Sequence, residues 1–481
     1  MSRDIALRIL KQLRNSGYEA YFAGGCVRDQ VLGIPAKDYD IATSARPEEV
    51  LKLFPRALTV GAQFGVVMIV EEGHFYEVAT FRSDGRYADG RHPQGVIYTS
   101  DPRLDVFRRD FTMNGLLYDP LRERVIDHVG GQEDIRNKVL RTIGDPQQRF
   151  LEDKLRLMRA VRFAARFAFQ IDTQTRSWIL KLSPRLAEVS RERIRDELIR
   201  ILTEGYAAKG VQLLEECQLL PQILPEVSQL KGVAQPPEFH PEGDVWCHTL
   251  LMLECMDQTR VQGSAEGIGP EFALSQAAAT LPKSYPSTTL AMAVLLHDIG
   301  KPSTFEIKER IRFDGHTEVG ARMAAGLCVR LRLSNQESAK IVELVKDHLM
   351  FKDLPSMRPS TVKRFLRREG FSEHLELHRL DCMGSHGNLD NWNLAVKLLK
   401  ELGPEQIRPP RLLTGDDLIA MGFSPGRNFK EMLKTIEDAQ LDGLINSSEQ
   451  ARQLILDQYG THLTNSPEDK PFSKSPSRQG L

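Results

Sequence analysis

Two aspartates separated by one residue, Asp38-Tyr39-Asp40, are the first candidates for chemistry in this chain. On an extended strand, residues i and i+2 point to the same face. The two carboxylates then project side by side and repel each other unless cations intervene. Two divalent metals about 4 Å apart on shared carboxylates activate an attacking hydroxyl and stabilise the leaving oxygen of a phosphoryl transfer. Taken alone, such a pair also reads as an acidic turn before a strand, which is common. Glu77, in FYEVATF, falls inside a strand among apolar neighbours. It reads about evenly as a satisfied buried acid or as a third metal-site carboxylate. Upstream, Gly24-Gly25-Cys26-Val27-Arg28-Asp29 sits where a strand gives way to a helix. Glycines there let a triphosphate approach the backbone, and the helix start offers free N–H groups. Arg28 would add charge for the same phosphates, although taken alone the segment reads as a plain turn.

A second set lies at Glu152-Asp153-Lys154-Leu155-Arg156. A carboxylate and a guanidinium three residues apart on a helix share a face. Asp153 would accept from an exocyclic amino group and Arg156 would donate to a ring acceptor. Cytosine and adenine offer that combination, whereas uracil and guanine do not. The pair would therefore select C and A without a nucleic-acid template; an ordinary surface ion pair is the bland alternative. Arg159, Arg162 and Arg166 continue from Arg156 at three- and four-residue steps. From Arg149 to Arg200 there are thirteen Lys/Arg against seven Asp/Glu. Such a stripe fits a surface that tracks phosphates.

A third set is His297-Asp298-Ile299-Gly300-Lys301, placed at a helix end by the apolar LAMAVLL before it. Adjacent His and Asp can face one divalent metal. The remaining ligands would be His248, His316, His348 and Asp381. Imidazole and carboxylate suit Ni, Mn, Mg or Fe, with bound water as nucleophile. His74, His92, His128, His240, His374, His378, His386 and His462 read as ordinary histidines, solvated or satisfied.

GGCVRDQVLG followed by KDYDIAT resembles the opening motif of the class II CCA-adding enzymes and bacterial poly(A) polymerases. Four further stretches resemble that family's later motifs, in order. Arg108-Arg109-Asp110-Phe111-Thr112-Met113-Asn114 matches the ribose and phosphate motif, with Gly115 where the family usually has Ala. Asp127-His128-Val129-Gly130-Gly131 matches the hinge, Glu152 to Arg159 the base-reading motif, and Glu192 to Leu198 the fifth. The order His248, His297-Asp298, His316, His348, Asp381 resembles the HD phosphohydrolase superfamily. LLTGDDLIAMGFSPGRNF (412–429) resembles part of the family's tRNA-holding body and tail.

The resemblance implies an α/β head of the polymerase β type, with a mixed sheet, followed by all-α neck, HD and tail domains. It implies addition of C and A to the 3′ end of tRNA from CTP and ATP. In that reading Asp38 and Asp40 hold Mg²⁺ with Asp110 in the catalytic set. Gly25, Arg28, Arg109, Asp153, Arg156, Arg159 and Arg162 bind nucleotide. An enzyme adding only A, one adding only CC, and a poly(A) polymerase are rivals within the family. A phosphohydrolase with an RNA-binding head is the rival from another class.

The elements that must position these residues follow the periodicity. Residues 1–148 alternate short strands with helices, including a hairpin turning at Glu72-Gly73. From about Phe150 the pattern is helical, giving a neck over 149–232, an HD domain over 240–400 and a tail over 401–461. A Pro-rich joint, VAQPPEFHPEGD, spans 233–244, and the polar residues 462–481 read as disordered.

At 481 residues the chain needs two to four cores. Net charge of −1 excludes an overall nucleic-acid-attracting field, so any such surface is local. Six scattered cysteines with no C-x-x-C pair fit reduced thiols in a cytoplasmic protein. No apolar run approaches the roughly 20 residues that cross a membrane. Arg3, Arg8 and Lys11 interrupt the first helix too often for a signal peptide. Nothing in the pattern indicates an oligomeric state.

Overall fold

In the computed structural model the described residues are 2–59, 65–84, 96–263 and 286–460. The expected disorder of 462–481 lies outside them, as do His92 and His462. The chain opens with α1 (Arg3–Asn15), whose Ile5, Ile9, Leu10 and Leu13 are buried, as their helical spacing requires. Next come β1 (Ala20–Ala23), α2 (Gly25–Val31), β2 (Asp40–Thr43), α3 (Pro47–Leu53) and β3 (Ala57–Leu58). The hairpin of β4 (Val66–Glu71) and β5 (His74–Thr80) turns at Glu72 and Gly73, both with positive φ (50° and 77°), the twist that tight hairpins prefer. A small ribbon of β6 (Arg82–Asp84) and β7 (Val96–Tyr98) precedes α4 (Pro102–Phe107), β8 (Leu116–Asp119), β9 (Arg124–Asp127) and α5 (Gly131–Arg136).

Seven strands form one sheet in the order β3-β4-β5-β2-β1-β8-β9. The β2–β5 pair is parallel and the others are antiparallel, so the sheet is mixed, as expected. Helices follow: α6 (Pro146–Glu152), α7 (Arg156–Phe167), α8 (Thr173–Leu182), α9 (Arg191–Thr203), α10 (Ala207–Glu216), α11 (Leu220–Ile223), α12 (Pro225–Ser228), α13 (Val245–Gly263), α14 (Thr288–Leu296), α15 (His316–Arg330) and α16 (Asn335–Asp347). Among the described residues, one compact unit runs to Lys346 and includes Met383–His386.

The second unit holds 347–382 and 387–460. It contains α17 (Pro359–Leu366), most of α18 (Phe371–Met383), α19 (Asp390–Glu401), α20 (Pro404–Ile407), α21 (Gly415–Ala420), α22 (Arg427–Leu441) and α23 (Ser448–Tyr459). Phe351, Phe365 and Phe371 centre one of its cores; Leu418, Met432 and Ile455 belong to another. No described helix is long and apolar enough to cross a membrane.

The Asp127–Gly131 turn shows how backbone chemistry sets a connection. Asp127 accepts from the N–H groups of Val129, Gly131 and Gln132, tying β9 to the start of α5. A Cβ on Gly131 would lie 2.2 Å from the Thr112 carbonyl oxygen, so only glycine fits. Gly131→Ala is expected to cost about 1–3 kcal/mol through this overlap. Urea unfolding followed by circular dichroism checks it.

Candidate functional site

Strand register brings the first carboxylates together. β2 pairs with β5 starting at Ile41 opposite Val78, which sets Asp40 beside Glu77 one step earlier. Asp38 is not on the strand; it is exposed, two residues before β2 begins. The expected i, i+2 strand geometry therefore does not hold, because the chain becomes extended ladder only at Asp40. Asp40 and Glu77 line a cleft of about 590 Å³ with Gly24, Gly25, Arg28, Arg108, Arg109, Asp110, Asn114, Asp153, Arg156, Arg159, Arg162 and Arg193. Burial pushes the Asp40 carboxyl up to about 6; Glu77 and Asp38 add to the shift and Arg109 opposes it.

Arg109 donates to Asp105 at 2.9 Å and approaches Gly24, where a Cβ would lie 3.0 Å from its Nη1. Gly24 also has φ of 69°, a left-handed conformation that favours glycine. Arg28 is buried, with its guanidinium on Asp29 (2.7 Å) and Asn114 (2.8 Å) and over the Phe167 ring. It lines the cleft already paired with Asp29. Asp110 is buried and accepts from Arg159 (2.7 and 2.9 Å) and Asn114 (3.0 Å). Burial would raise its pKa, but Arg159, Asn114 and Arg156 outweigh burial and hold the carboxyl at about 2.

Asp153 and Arg156 do not share a helix. α6 stops at Glu152, Asp153 is extended (φ −147°, ψ 105°), and α7 starts at Arg156. Each instead has a partner of its own. Arg193 on α9 grips both Asp153 oxygens at 3.0 and 2.7 Å. Glu152 takes Arg156 at 2.7 Å, and the Arg149 and Arg108 carbonyls accept from it too. The arginine ladder on α7 is likewise paired: Arg159 with Asp110, Arg162 with Glu197 at 2.5 Å, and Arg166 with Glu204 at 3.5 Å. Arg162 is 4% exposed. The stripe lines the cleft instead of forming an open phosphate-tracking face, because buried guanidinium groups need counter-charges.

The His–Asp centre also lies in the first unit. His297 caps the end of α14, and its Nε2 is 3.1 Å from Asp298 Oδ2. His316 Nε2 is 3.6 Å from Asp298 Oδ1, and the His248 and His297 rings are 5.3 Å apart. Lys301 donates to Asp298 at 2.7 Å. Burial would raise Asp298, but His297, Lys301 and His316 hold it well below the usual carboxylate range. A Cβ on Gly300 would lie 2.1 Å from the His316 carbonyl oxygen, so the glycine of the motif lets α15 bring His316 in. His348 (buried) and Asp381 (half-buried) belong to the second unit. There His378 stacks flat on Phe351, and burial pushes His374 down to about 4.

Family models match this architecture in three places. A "Poly A polymerase head domain" covers residues 20–141, a "Probable RNA and SrmB- binding site of polymerase A" covers 168–230, and an "HD domain" covers 267–376. The crystal structure of the Bacillus stearothermophilus CCA-adding enzyme in complex with CTP superimposes with a TM-score of 0.69 at 27% identity, covering 96% of this chain and 99% of that one. The chain is thus similar to CCA-adding enzymes and poly(A) polymerases in its head, its helical neck and its HD region. The CCA-adding enzyme of Geobacillus thermodenitrificans (strain NG80-2) is 46% identical over 214 residues, 44% of this chain and 53% of that protein. That of Geobacillus stearothermophilus is 44% identical over 257 residues, 52% and 63% of the two chains. The matched part thus spans a little over half the length of these curated relatives. The Thermotoga maritima CCA-adding enzyme complexed with tRNA shares the fold, with a TM-score of 0.56 at 19% identity over 95% of this chain and 96% of that one.

Within this family frame, the residues that sequence reasoning missed are the holders of the expected ones. Asp105 takes Arg108 and Arg109 at once (2.7 and 2.9 Å), and its i, i+3 and i, i+4 spacing was a readable signal. Arg193 and Glu197 fall in the fifth motif, Glu192 to Leu198, but they act across helices, and no local spacing showed their partners Asp153 and Arg162. The donor sets suit divalent metals in both places. Carboxylates alone at Asp38, Asp40 and Glu77 fit a hard cation. The mixed imidazole and carboxylate set around Asp298 fits a first-row transition metal.

The raised Asp40 pKa has a consequence for stability. With about 6 in the folded chain against 3.8 as the reference value, folding favours the protonated form. The stabilising effect of that proton is complete below pH 4 and is lost as pH rises through 6. Asp40→Asn should therefore raise Tm relative to the parent at pH 8 in EDTA, with the gain shrinking towards zero near pH 4. Thermal melts across that range read it directly.

Proposed function

We propose that the chain extends the 3′ end of tRNA with C and A residues from CTP and ATP, without a template. The observation that carries this reading is the edge made by Asp153 and Arg156. Arg193 and Glu152 fix that edge in the cleft that also holds Asp40, Glu77 and Arg109. An amino group donates to Asp153, and a guanidinium N–H of Arg156 donates to the neighbouring acceptor of the base. Both side chains are oriented before the nucleotide arrives, so little ordering cost falls on binding.

Asp38 and Asp40 would hold Mg²⁺, with Glu77 beside them. The metal supplies Lewis-acid activation of the 3′-hydroxyl and charge stabilisation of the departing pyrophosphate. A bond forms from the RNA 3′-oxygen to the α-phosphorus as the bond to pyrophosphate breaks. Arg109 and the backbone at Gly24-Gly25 hold the triphosphate. Arg28 braces that turn from behind through Asn114. Asp110 and Arg159 place the ribose and phosphate side of the nucleotide. The tail helices would hold tRNA by shape, and the reaction belongs in the cytoplasm.

The His–Asp centre we read as a metal-dependent phosphohydrolase. Within the first unit, His248, His297, Asp298 and His316 would be its ligands for Ni, Mn, Mg or Fe. His297→Ala combined with Asp298→Ala should remove hydrolysis of 2′,3′-cyclic nucleotides or phosphomonoesters and spare nucleotide addition. If the parent hydrolyses neither with Ni, Mn, Mg or Co, the site is structural.

Asp38→Ala and Asp40→Ala should each abolish incorporation while leaving tRNA binding largely intact. Normal incorporation at saturating Mg²⁺ would sink the assignment. Asp153→Ala should weaken discrimination against UTP. A site built to hydrogen-bond a group rejects analogues lacking it by up to ~10⁴-fold, and part of that is then given back. Arg156→Ala should damage C and A addition alike. Single-nucleotide kcat/KM for CTP, ATP and UTP on tRNA ending at the discriminator base measures both. Unchanged ratios would remove the base-reading role.

A further inference from the structure

The segment from Val233 to Asp244 lies outside the HD match and reads in sequence as a proline-rich joint. Its side chains nevertheless close on the His–Asp centre. Glu242, whose side chain is 6% exposed, has Oε1 2.9 Å from Nδ1 of His248 and 2.8 Å from Nδ1 of His240. The Gly384 carbonyl oxygen is 3.2 Å from the same His248 nitrogen. Gln235 accepts from Lys301 at 2.7 Å, and Lys301 donates to Asp298.

Two acceptors facing Nδ1 of His248 place its proton there and make Nε2 the lone-pair nitrogen. His297 and His316 reach the same tautomer differently. Each turns Nδ1 to the backbone carbonyl three residues earlier, Val294 at 2.9 Å and Phe313 at 2.8 Å. His248 stands in the first turn of α13, where the carbonyl three residues earlier, Val245, accepts from Thr249. A carboxylate therefore does for His248 what the backbone does for the other two. It also makes the imidazole a stronger donor than a carbonyl would.

We propose that Glu242 is a positioning residue of the His–Asp centre, fixing His248 in the tautomer and orientation that binds a divalent metal. The inference rests on reading that centre as a metal site. His240 shares the same carboxylate oxygen from the other side and is dispensable for the effect, while Gln235 steadies Lys301 against Asp298. The joint is thus the supporting shell of the centre as well as a connection.

The test uses the full chain carrying Asp38→Ala and Asp40→Ala, so that the head carboxylates do not contribute to metal binding. Titration with Ni²⁺ and Mn²⁺ by calorimetry should show one site lost in His297→Ala with Asp298→Ala. Glu242→Gln should weaken that site by ~10–100-fold, the usual effect of removing such a partner. It should also shrink the rise in Tm that the metal produces. Glu242→Asp should recover part of the affinity, and His240→Phe should leave it within a few-fold. In the otherwise unaltered chain, Glu242→Gln should add nucleotides at the parent rate, which separates a local effect from misfolding. If Glu242→Gln does not fold, Glu242→Asp carries the comparison, with a loss expected relative to the parent. Undiminished affinity in a folded Glu242 variant would overturn the positioning role alone. A parent chain that binds neither metal at this site would overturn the phosphohydrolase reading, and this inference with it.

Discussion

The carboxylate of Asp110 is the interaction on which the cleft of the head depends. It accepts from Arg159 on α7 and from Asn114 before β8, and Asn114 in turn accepts from Arg28 on α2. One buried anion thereby links the strand-to-helix turn of the sheet to the helix that follows it. A lone buried carboxylate would be protonated; this one is held at about 2 because cations and an amide donor converge on it. Removing either side leaves an uncompensated buried charge, which costs far more than the pair contributes when intact. The Phe163 and Phe167 rings, which the Arg28 guanidinium faces, complete the junction with apolar cover.

The same logic extends along the cleft. Arg108 and Arg109 meet Asp105, Arg156 meets Glu152, Arg162 meets Glu197, and Arg193 meets Asp153. The arginines of this wall each have a carboxylate partner. They still present N–H groups at set positions. Because the guanidinium groups are held before any nucleotide arrives, their dipoles are oriented in advance, which is how a charged site acts on developing charge without reorganising. Asp40 is the exception. Burial, and then the neighbouring Glu77, push its carboxyl up to about 6 against the opposing pull of Arg109.

The neck helices serve more than one centre. α9 carries Arg193, which holds Asp153, and Arg195, which donates to the Arg332 carbonyl beyond the end of α15. α9 also packs on α14, the helix that ends in His297. Arg330 near the end of α15 grips Glu226 and the Ile223 carbonyl on the neck side. Residues 2–346 accordingly behave as one compact unit where described, although composition had placed a joint at 233–244. Proline and glycine there mark a change of direction. They do not mark a break in packing, because Gln235, Glu242 and Asp244 are all engaged.

The sequence by itself determined the mixed-sheet head, the hairpin at Glu72-Gly73, the helical remainder and the chemical types at each centre. These follow from short-range rules: periodicity, turn residues and residues at close spacing. The placement of Asp298 beside His297 at a helix end belongs to the same class. Tertiary structure alone decided which groups meet. Asp153 and Arg156 look like one helix face in sequence, yet the helix breaks between them and each is oriented by a different neighbour. Asp40 meets Glu77 through strand register, 37 residues apart in the chain. Arg162 reads as part of an exposed stripe and is buried against Glu197, 35 residues away. Charge pairs across helices have no local spacing to betray them. They form where desolvation makes an unpaired charge too costly, and that is known only once the core is assembled.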